Sequence, residues 1–300
     1  MTAAYFFTQL INGLRLGSVY AIVAVGYSIV YGILKLINFA HGDIMTIGVY
    51  AIIVLMNSTG LPLWLIIIIS VCISVVAGLL IERLAYRPLR RRNAQEEAVL
   101  VASLAVSTLL QNLLQMVFSS QKKPFHLPDS LTARINIGVI QLSVMNIITF
   151  IAVAILLVIL LFIVKKTRIG TAMRACSENM TAARLMGISV TRVVVFAFAL
   201  GSALAAVAGL MLAGEYKTAS PDMGFVPGLK AFCAAVVGGI GSLGGAVVGG
   251  IIIGLAEMLF AGLVPTSLTA YRDAFVFVVL IVVLLVRPNG LFNVKEGGRS

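Results

Sequence analysis

Charge is what this 300-residue chain has least of: Asp, Glu, Lys and Arg make up 11% of it, while 60% is hydrophobic. Its mean hydropathy is +1.08. That balance lies outside the range of soluble globular domains. Acidic residues are scarcer than basic ones, 11 against 22, which gives a net charge of +11. The basic residues sit in short loops between apolar runs, which is how membrane topology distributes charge, so no nucleic-acid surface is expected. Cysteine is nearly missing: Cys72, Cys176 and Cys233 are scattered, show no metal or redox spacing, and read as packing residues. Two histidines, His41 and His126, supply neither a metal cluster nor a triad, so no catalytic or metal-ligating residue is expected. There is no G-x-x-x-x-G-K-[ST] phosphate loop, because the glycine-rich residues 238–250 lack its lysine. If ATP and Mg²⁺ drive this protein, hydrolysis falls to another chain; this one is expected to be no enzyme and to hold no cofactor. The opening Met1–Phe7 lacks the basic stretch of a cleaved signal peptide, so the first apolar segment is expected to remain.

What is present is length without charge. Apolar stretches run near 8–35, 37–57, 62–82, 98–118, 141–164, 192–213, 229–263 and 273–286, several of them reaching the roughly 20 residues a bilayer crossing needs. Arginines at 83, 87, 90, 91 and 92 follow the third stretch, and Lys165, Lys166, Arg168, Arg174 and Arg184 follow the fifth. Arg287, Lys295 and Arg299 fill the tail. The positive-inside rule makes all three cytoplasmic and puts 119–140 outside. Alternation from an outside N-terminus then fails if 229–263 is a single crossing, because the basic tail would land outside. At about 35 residues that segment is also longer than one span requires. We read it as a re-entrant half-helix, a glycine-rich turn and a return helix, leaving the C-terminus inside. The chain is thus expected to be all-α: one polytopic membrane domain over 1–300, with a cytoplasmic loop at 165–191.

Two segments interrupt the apolar runs. Ile37-Asn-Phe-Ala-His-Gly-Asp43 is polar, and Val237–Gly250 is a glycine ladder. In lipid, irregular backbone survives only where protein or a water-filled cavity surrounds it, and paired interruptions in two halves point to a transport pathway. Gly26–Asp43 can be laid roughly against Ala231–Gly245 as a weak internal repeat. The candidate pathway residues are therefore Asn38, His41, Gly42 and Asp43 in the first break, with Gly238, Gly239, Gly241, Ser242, Gly244 and Gly245 in the second. A helix restarting near Asn38 would present backbone N–H groups and a positive dipole end to a substrate carboxylate. The plainer readings are that Asp43 merely caps that helix, and that Gly241, Gly245 and Gly249 serve close helix packing. Lys230 and Glu257 flank the ladder, while Arg15 and Lys35 are read as snorkelling to an interface.

The loop 165–191 contains a short helix, capped by Ser177 or Asn179 and stopped at Gly187. Ala172, Cys176, Met180 and Ala183 give it a small apolar stripe at helical spacing, suited to a groove on another protein. The alternative is a helix lying on the bilayer surface.

Five groups of residues resemble one family. They are Leu14–Ile22, Ile37–Asp43, Glu82-Arg-Leu-Ala-Tyr-Arg-Pro-Leu-Arg90, Ala172–Ala175 with Ala183–Ile188, and Gly228–Phe232 with Val237–Ser242. The family is the branched-chain amino acid permeases of bacterial ABC importers, and the resemblance covers nearly the whole chain in order and spacing. It implies a translocation subunit of the bacterial inner membrane that carries leucine, isoleucine, valine or similar hydrophobic amino acids. The partners it implies are a second related permease, two ABC ATPase subunits, a periplasmic binding protein and membrane lipid. It also makes the loop the ATPase-coupling segment, with Ala172, Arg174, Glu178, Ala182, Ala183, Arg184, Leu185, Met186 and Gly187. The same scaffold importing urea, short amides or another small solute is the nearest alternative. An ion-coupled secondary transporter, working without ATP, is the other class to weigh.

Overall fold

A computed structural model of the chain describes residues 3–92, 94–128, 131, 133–137 and 140–292. The tail residues Lys295 and Arg299 lie outside that set. The helices are α1 (Ala3–Leu34), α2 (His41–Ser58), α3 (Leu63–Ile81), α4 (Arg87–Arg91), α5 (Glu96–Phe118), α6 (Val144–Lys166), α7 (Arg168–Glu178), α8 (Met180–Leu185), α9 (Val190–Tyr216), α10 (Phe225–Gly238), α11 (Leu243–Leu263) and α12 (Arg272–Val286). A π-helical turn, Glu82–Tyr86, fuses α3 and α4 into one rod. Eight of the described helices are long and apolar enough to cross a membrane, α12 together with the 3-10 helix Thr266–Tyr271 that leads into it. Among the described residues sheet is confined to two small ladders: β1 (Lys123–Pro124) runs antiparallel to β4 (Thr218–Ala219), and β2 (Arg134–Ile137) to β3 (Ile140–Ser143). The architecture is all-α.

Helix α10 is the exception among the apolar helices. Its 14 residues reach only about 21 Å at 1.5 Å per residue, short of a hydrocarbon core of about 30 Å. It turns back at 239–242, where Gly239 and Gly241 have φ of 104° and 89°, a region L side chains rarely enter. Helix α11 then returns antiparallel to it, with Gly238 against the Gly245 backbone and Gly249 against Ala234. The half-helix, glycine-rich turn and return helix expected over 229–263 are what the fold contains.

The other interruptions show how the molecule is organised. Helices α1 and α9 both end in a lysine in the left-handed region, Lys35 with φ 54° and Lys217 with φ 53°. Each is followed by a non-helical segment before a new helix begins, α2 after Lys35 and α10 after Lys217. The spacing is identical: Gly32-x₂-Lys35-x₆-Gly42 and Gly214-x₂-Lys217-x₆-Gly224. Gly42 and Gly224 lie against each other, and the flanking contacts obey the same exchange, since Gly42 meets Gly228 and Gly224 meets Thr46. α11 runs antiparallel to α1, with Gly13 beside Leu255 and Gly32 near Gly241. It follows that α1-to-α2 and α9-to-α10 point in opposite directions, as an inverted-topology repeat. The repeat therefore sits at a different register from the Gly26–Asp43 and Ala231–Gly245 alignment. The glycine-dense stretch that suggested that alignment is the hairpin turn inside the second unit.

Burial follows from this arrangement. α1 is apolar all round and enclosed: Ala21, Ile22, Val23, Ala24 and Val25 have no exposed surface, packed among α9, α10 and α11. α5, α6 and α12 present most of their length outward.

Candidate functional site

The first turn of α2 and the first turn of α10 meet side by side in the interior, and only glycine allows it. A Cβ on Gly42 would strike the Gly224 carbonyl, and one on Gly224 would strike the Gly42 carbonyl. The Gly224 N–H donates to Thr46 Oγ1 at 3.0 Å, joining the two units. An aromatic floor lies beneath: Tyr27 packs edge-on against His41 (4.7 Å between centroids) and Phe232 (5.9 Å), and Phe39 packs against Phe232 (5.6 Å).

Around this junction Asn38, His41, Asp43 and Thr46 are buried, with relative exposures of 2%, 2%, 0% and 0%. Asn38 Oδ1 accepts from the Tyr86 hydroxyl at 2.6 Å, and the Phe39 N–H donates to Ser103 Oγ at 3.3 Å. Gln111 Nε2 donates to Asp43 Oδ1 and to Ser107 Oγ, each at 3.1 Å. Ser103, Ser107 and Gln111 recur every fourth residue and form the face by which α5 rests on the break. Helix α2 has no side-chain cap, so the capping reading of Asp43 fails. Its Oδ1 bonds to Gln111 and its Oδ2 has no partner. Asn38 Nδ2 and His41 Nε2 are likewise buried without a partner. Burying such an atom without a protein partner costs about 1–3 kcal/mol.

The two halves of the expected pathway do not come together. Asn38, His41, Gly42 and Asp43 cluster at the start of α10, whereas Gly238, Gly239, Gly241, Ser242, Gly244 and Gly245 lie at its other end, about 20 Å along its axis. There Gly238 and Gly245 pack the hairpin arms, Gly239 packs against Asn289 and Phe292 of the tail, and Gly241 approaches Gly32. Ser242 caps α11, accepting from the Gly245 N–H at 3.1 Å, and Gly244 faces open space. Close packing thus describes most of the ladder. Thr46, Ser103, Ser107, Gln111 and Gly224 escaped the sequence reading, and Tyr86 and Gly228 entered it only within resemblance motifs, with no site role. The matched G-x₂-K-x₆-G spacing would have found Gly224, and the fourfold recurrence on α5 the serines.

The other charged groups near the apolar spans divide. Arg15 does not snorkel: it is 6% exposed and bonds Glu215 at 2.9 Å. Lys35 stands over the Tyr31 ring, 5.9 Å from its centroid. Lys230 Nζ lies 2.7 Å from both Glu257 Oε1 and Asp273 Oδ1, while Glu257 Oε2 accepts from Tyr20. This network ties α10, α11 and α12 to α1.

The loop between α6 and α9 is two helices rather than one. Thr167 Oγ1 accepts from the Gly170 N–H to cap α7, and Asn179 Oδ1 accepts from the Thr181 and Ala182 N–H groups to cap α8. Ser177 caps nothing; its hydroxyl donates to the Arg174 carbonyl. The stripe thought to face a partner turns inward: Met173, Cys176 and Ala183 are buried and Ala172 and Met180 pack on the core. Burial raises the Cys176 thiol pKa above its usual value. Exposed instead are Arg174, Glu178, Ala182, Arg184, Leu185, Met186 and Gly187, with Leu185 84% and Met186 83% exposed. Gly187, with φ 83°, ends α8 as expected.

Interrupted helices meeting at the centre of an inverted repeat around a polar network define a polytopic membrane permease scaffold. The model of the family described as branched-chain amino acid transport system / permease component matches residues 9–284. The chain belongs to that family, a family of transport components rather than of catalysts. It is 38% identical to the high-affinity branched-chain amino acid transport system permease protein LivH of Salmonella typhimurium, over 97% of each chain. It is 37% identical to the corresponding protein BraD of Pseudomonas aeruginosa, again over 97% of each. The ribose import permease protein RbsC of Haemophilus influenzae is 26% identical, over 96% of this chain and 87% of its own.

Proposed function

We propose that this chain is the translocation subunit of an ATP-driven importer for leucine, isoleucine, valine or a similar hydrophobic amino acid, and that the α2–α10 junction is part of the path. The observation that carries the reading is the junction itself. Two helix N-termini with positive dipole ends, a buried free donor (Asn38 Nδ2) and a buried free acceptor (Asp43 Oδ2) share a few residues. A zwitterion carries one group to suit each, and its branched apolar side chain suits the floor of Tyr27, Phe39 and Phe232. Under the positive-inside rule the arginines at 83–92 and the lysines and arginines at 165–184 face the cytoplasm. The partners are a second related permease, two ABC ATPases that bind ATP and Mg²⁺, and a periplasmic amino-acid-binding protein. Leu185 and Met186, with Ala182 and Arg184, form the surface offered to the ATPase.

The test is uptake of radiolabelled leucine, isoleucine and valine into proteoliposomes that hold this chain with its permease and ATPase partners and binding protein. Uptake is expected to require all components and ATP. Uptake by this chain alone, driven by an ion gradient and indifferent to ATP, would replace the importer reading with a secondary transporter.

A further inference from the structure

The motif Glu82-Arg-Leu-Ala-Tyr-Arg-Pro-Leu-Arg90 touches the path described above through Tyr86 alone, yet its arginines build a second site. Pro88 lacks an N–H and crowds the carbonyl four residues back, and the rod widens there into the π turn, with the Arg87 N–H bonding the Glu82 carbonyl. Glu82, with a side chain 1% exposed, is gripped by Arg87 Nη2 at 2.8 Å and Arg90 Nη2 at 3.0 Å. Five arginines against one glutamate leave four positive charges within residues 82–92. Arg83, Arg87, Arg91 and Arg92, with Pro88, line a half-open cavity of about 390 Å³. Arg83, Arg91 and Arg92 are exposed and make no ion pair among the described residues.

The surface leading to this cavity is apolar. Val76, Leu80 and Leu84 recur at helical spacing on the same rod and are 55%, 50% and 72% exposed, a ridge that faces hydrocarbon in a membrane-spanning helix. It runs straight into the arginine cavity, Pro88 standing four residues beyond Leu84. A soluble phosphate compound would use only the charged end. A phospholipid fits both, its phosphate among the guanidiniums and its acyl chains along the ridge. Basic pockets at the cytoplasmic ends of membrane helices hold anionic headgroups in this way, and guanidinium forks suit phosphate oxygens. We propose that the cavity at Arg83, Arg87, Arg91 and Arg92 is a binding site for an anionic phospholipid. Because Tyr86, within the same turn, bonds Asn38 at 2.6 Å, an occupied site would also steady the break before α2.

The probe is phosphatidylglycerol. The detergent-purified protein and an Arg91→Gln/Arg92→Gln variant are titrated with it and with phosphatidylcholine, and bound lipid is counted by native mass spectrometry. Inorganic phosphate is titrated in parallel by thermal shift. Wild type is expected to hold one phosphatidylglycerol in preference to phosphatidylcholine. The variant should bind it about thirtyfold more weakly, from about 1 kcal/mol per surface arginine. Both altered side chains are exposed, and an unchanged elution profile shows that the variant is folded; if it elutes as aggregate, Arg83→Gln is measured in its place, and the loss of one arginine should weaken binding about fivefold. Equal retention by wild type and folded variant, no preference between the two lipids, or a thermal shift from inorganic phosphate as large as that from lipid would overturn the proposal.

Discussion

At the scale of single residues, Gly42 and Gly224 decide whether the two units can meet. Each lacks a side chain where the other's carbonyl stands, so Gly42→Ala and Gly224→Ala both force the helices apart, at about 1–3 kcal/mol as overpacking goes. Because one contact serves both residues, the double variant should cost little more than either single one. Melting temperatures in detergent read this out, and a double variant losing the sum of the two would mean that the glycines act separately. Asp43 separates folding from function. The side-chain amide in an Asp43→Asn variant keeps an oxygen for Gln111, so the packing of α5 should hold. What disappears is the charged acceptor whose Oδ2 is unpartnered. Hydrogen bonds to charged groups contribute about 1.5–3 kcal/mol, so import should fall by about 10- to 100-fold with expression unchanged. Full transport by Asp43→Asn would remove this carboxylate from the path. Lys230 belongs to another category, because removing it takes the cation at 2.7 Å from the carboxylate of Glu257, which is 1% exposed and keeps the Tyr20 hydroxyl and, at 3.9 Å, Arg272. Lys230→Ala is expected to destabilise the fold by about 3–5 kcal/mol, measured by thermal unfolding.

At the scale of elements, the coupling loop shows what a helical stripe leaves undecided. Periodicity in the sequence marks one apolar face on 172–187 without saying which neighbour covers it. Here the protein's own core covers it, because α7 and α8 fold back onto α1 and α9. The surface left for a partner is the short C-terminal shoulder of α8, where Leu185 and Met186 stand out. The consequence is a contrast between adjacent turns. Ala183→Glu places a charge in the core, 4% exposed, and should lower stability by several kcal/mol. Leu185→Glu and Met186→Glu alter only exposed positions and should stay within about 0.5 kcal/mol of wild type, yet lose substrate-stimulated ATP hydrolysis in the assembled complex. Purification of the complex followed by an ATPase assay separates the two effects. If Leu185→Glu and Met186→Glu both keep full stimulated activity, α8 is not where the ATPase docks, and a helix against the bilayer surface takes its place.

At the scale of the whole molecule, the features governed by length were legible in the sequence. The apolar helices followed from hydrophobic runs, and the α10–α11 hairpin followed from a stretch of about 35 residues, more than one crossing needs. What escaped was long-range pairing. Glycine density drew attention to 238–245, but density marks close packing, whereas the symmetric counterpart of the first break holds only Gly214 and Gly224 around the polar run 217–223. Nor does local pattern reveal that Gly42 and Gly224 touch across the length of the chain, or that Ser103, Ser107 and Gln111 meet the first break rather than lipid. The inverted repeat makes a demand no single element makes: its two breaks must open to opposite sides of the membrane. Lys35 and Thr218 lie in those breaks and are both exposed, so cysteine can replace either without entering the core. In a background freed of the native cysteines, each single variant is treated in intact cells with a membrane-impermeant maleimide, then again after permeabilisation. Thr218→Cys should label in intact cells, and Lys35→Cys only once the membrane is opened. Labelling of both from one side would mean that α10 is not re-entrant, and the paired breaks would lose their standing as the two halves of one pathway.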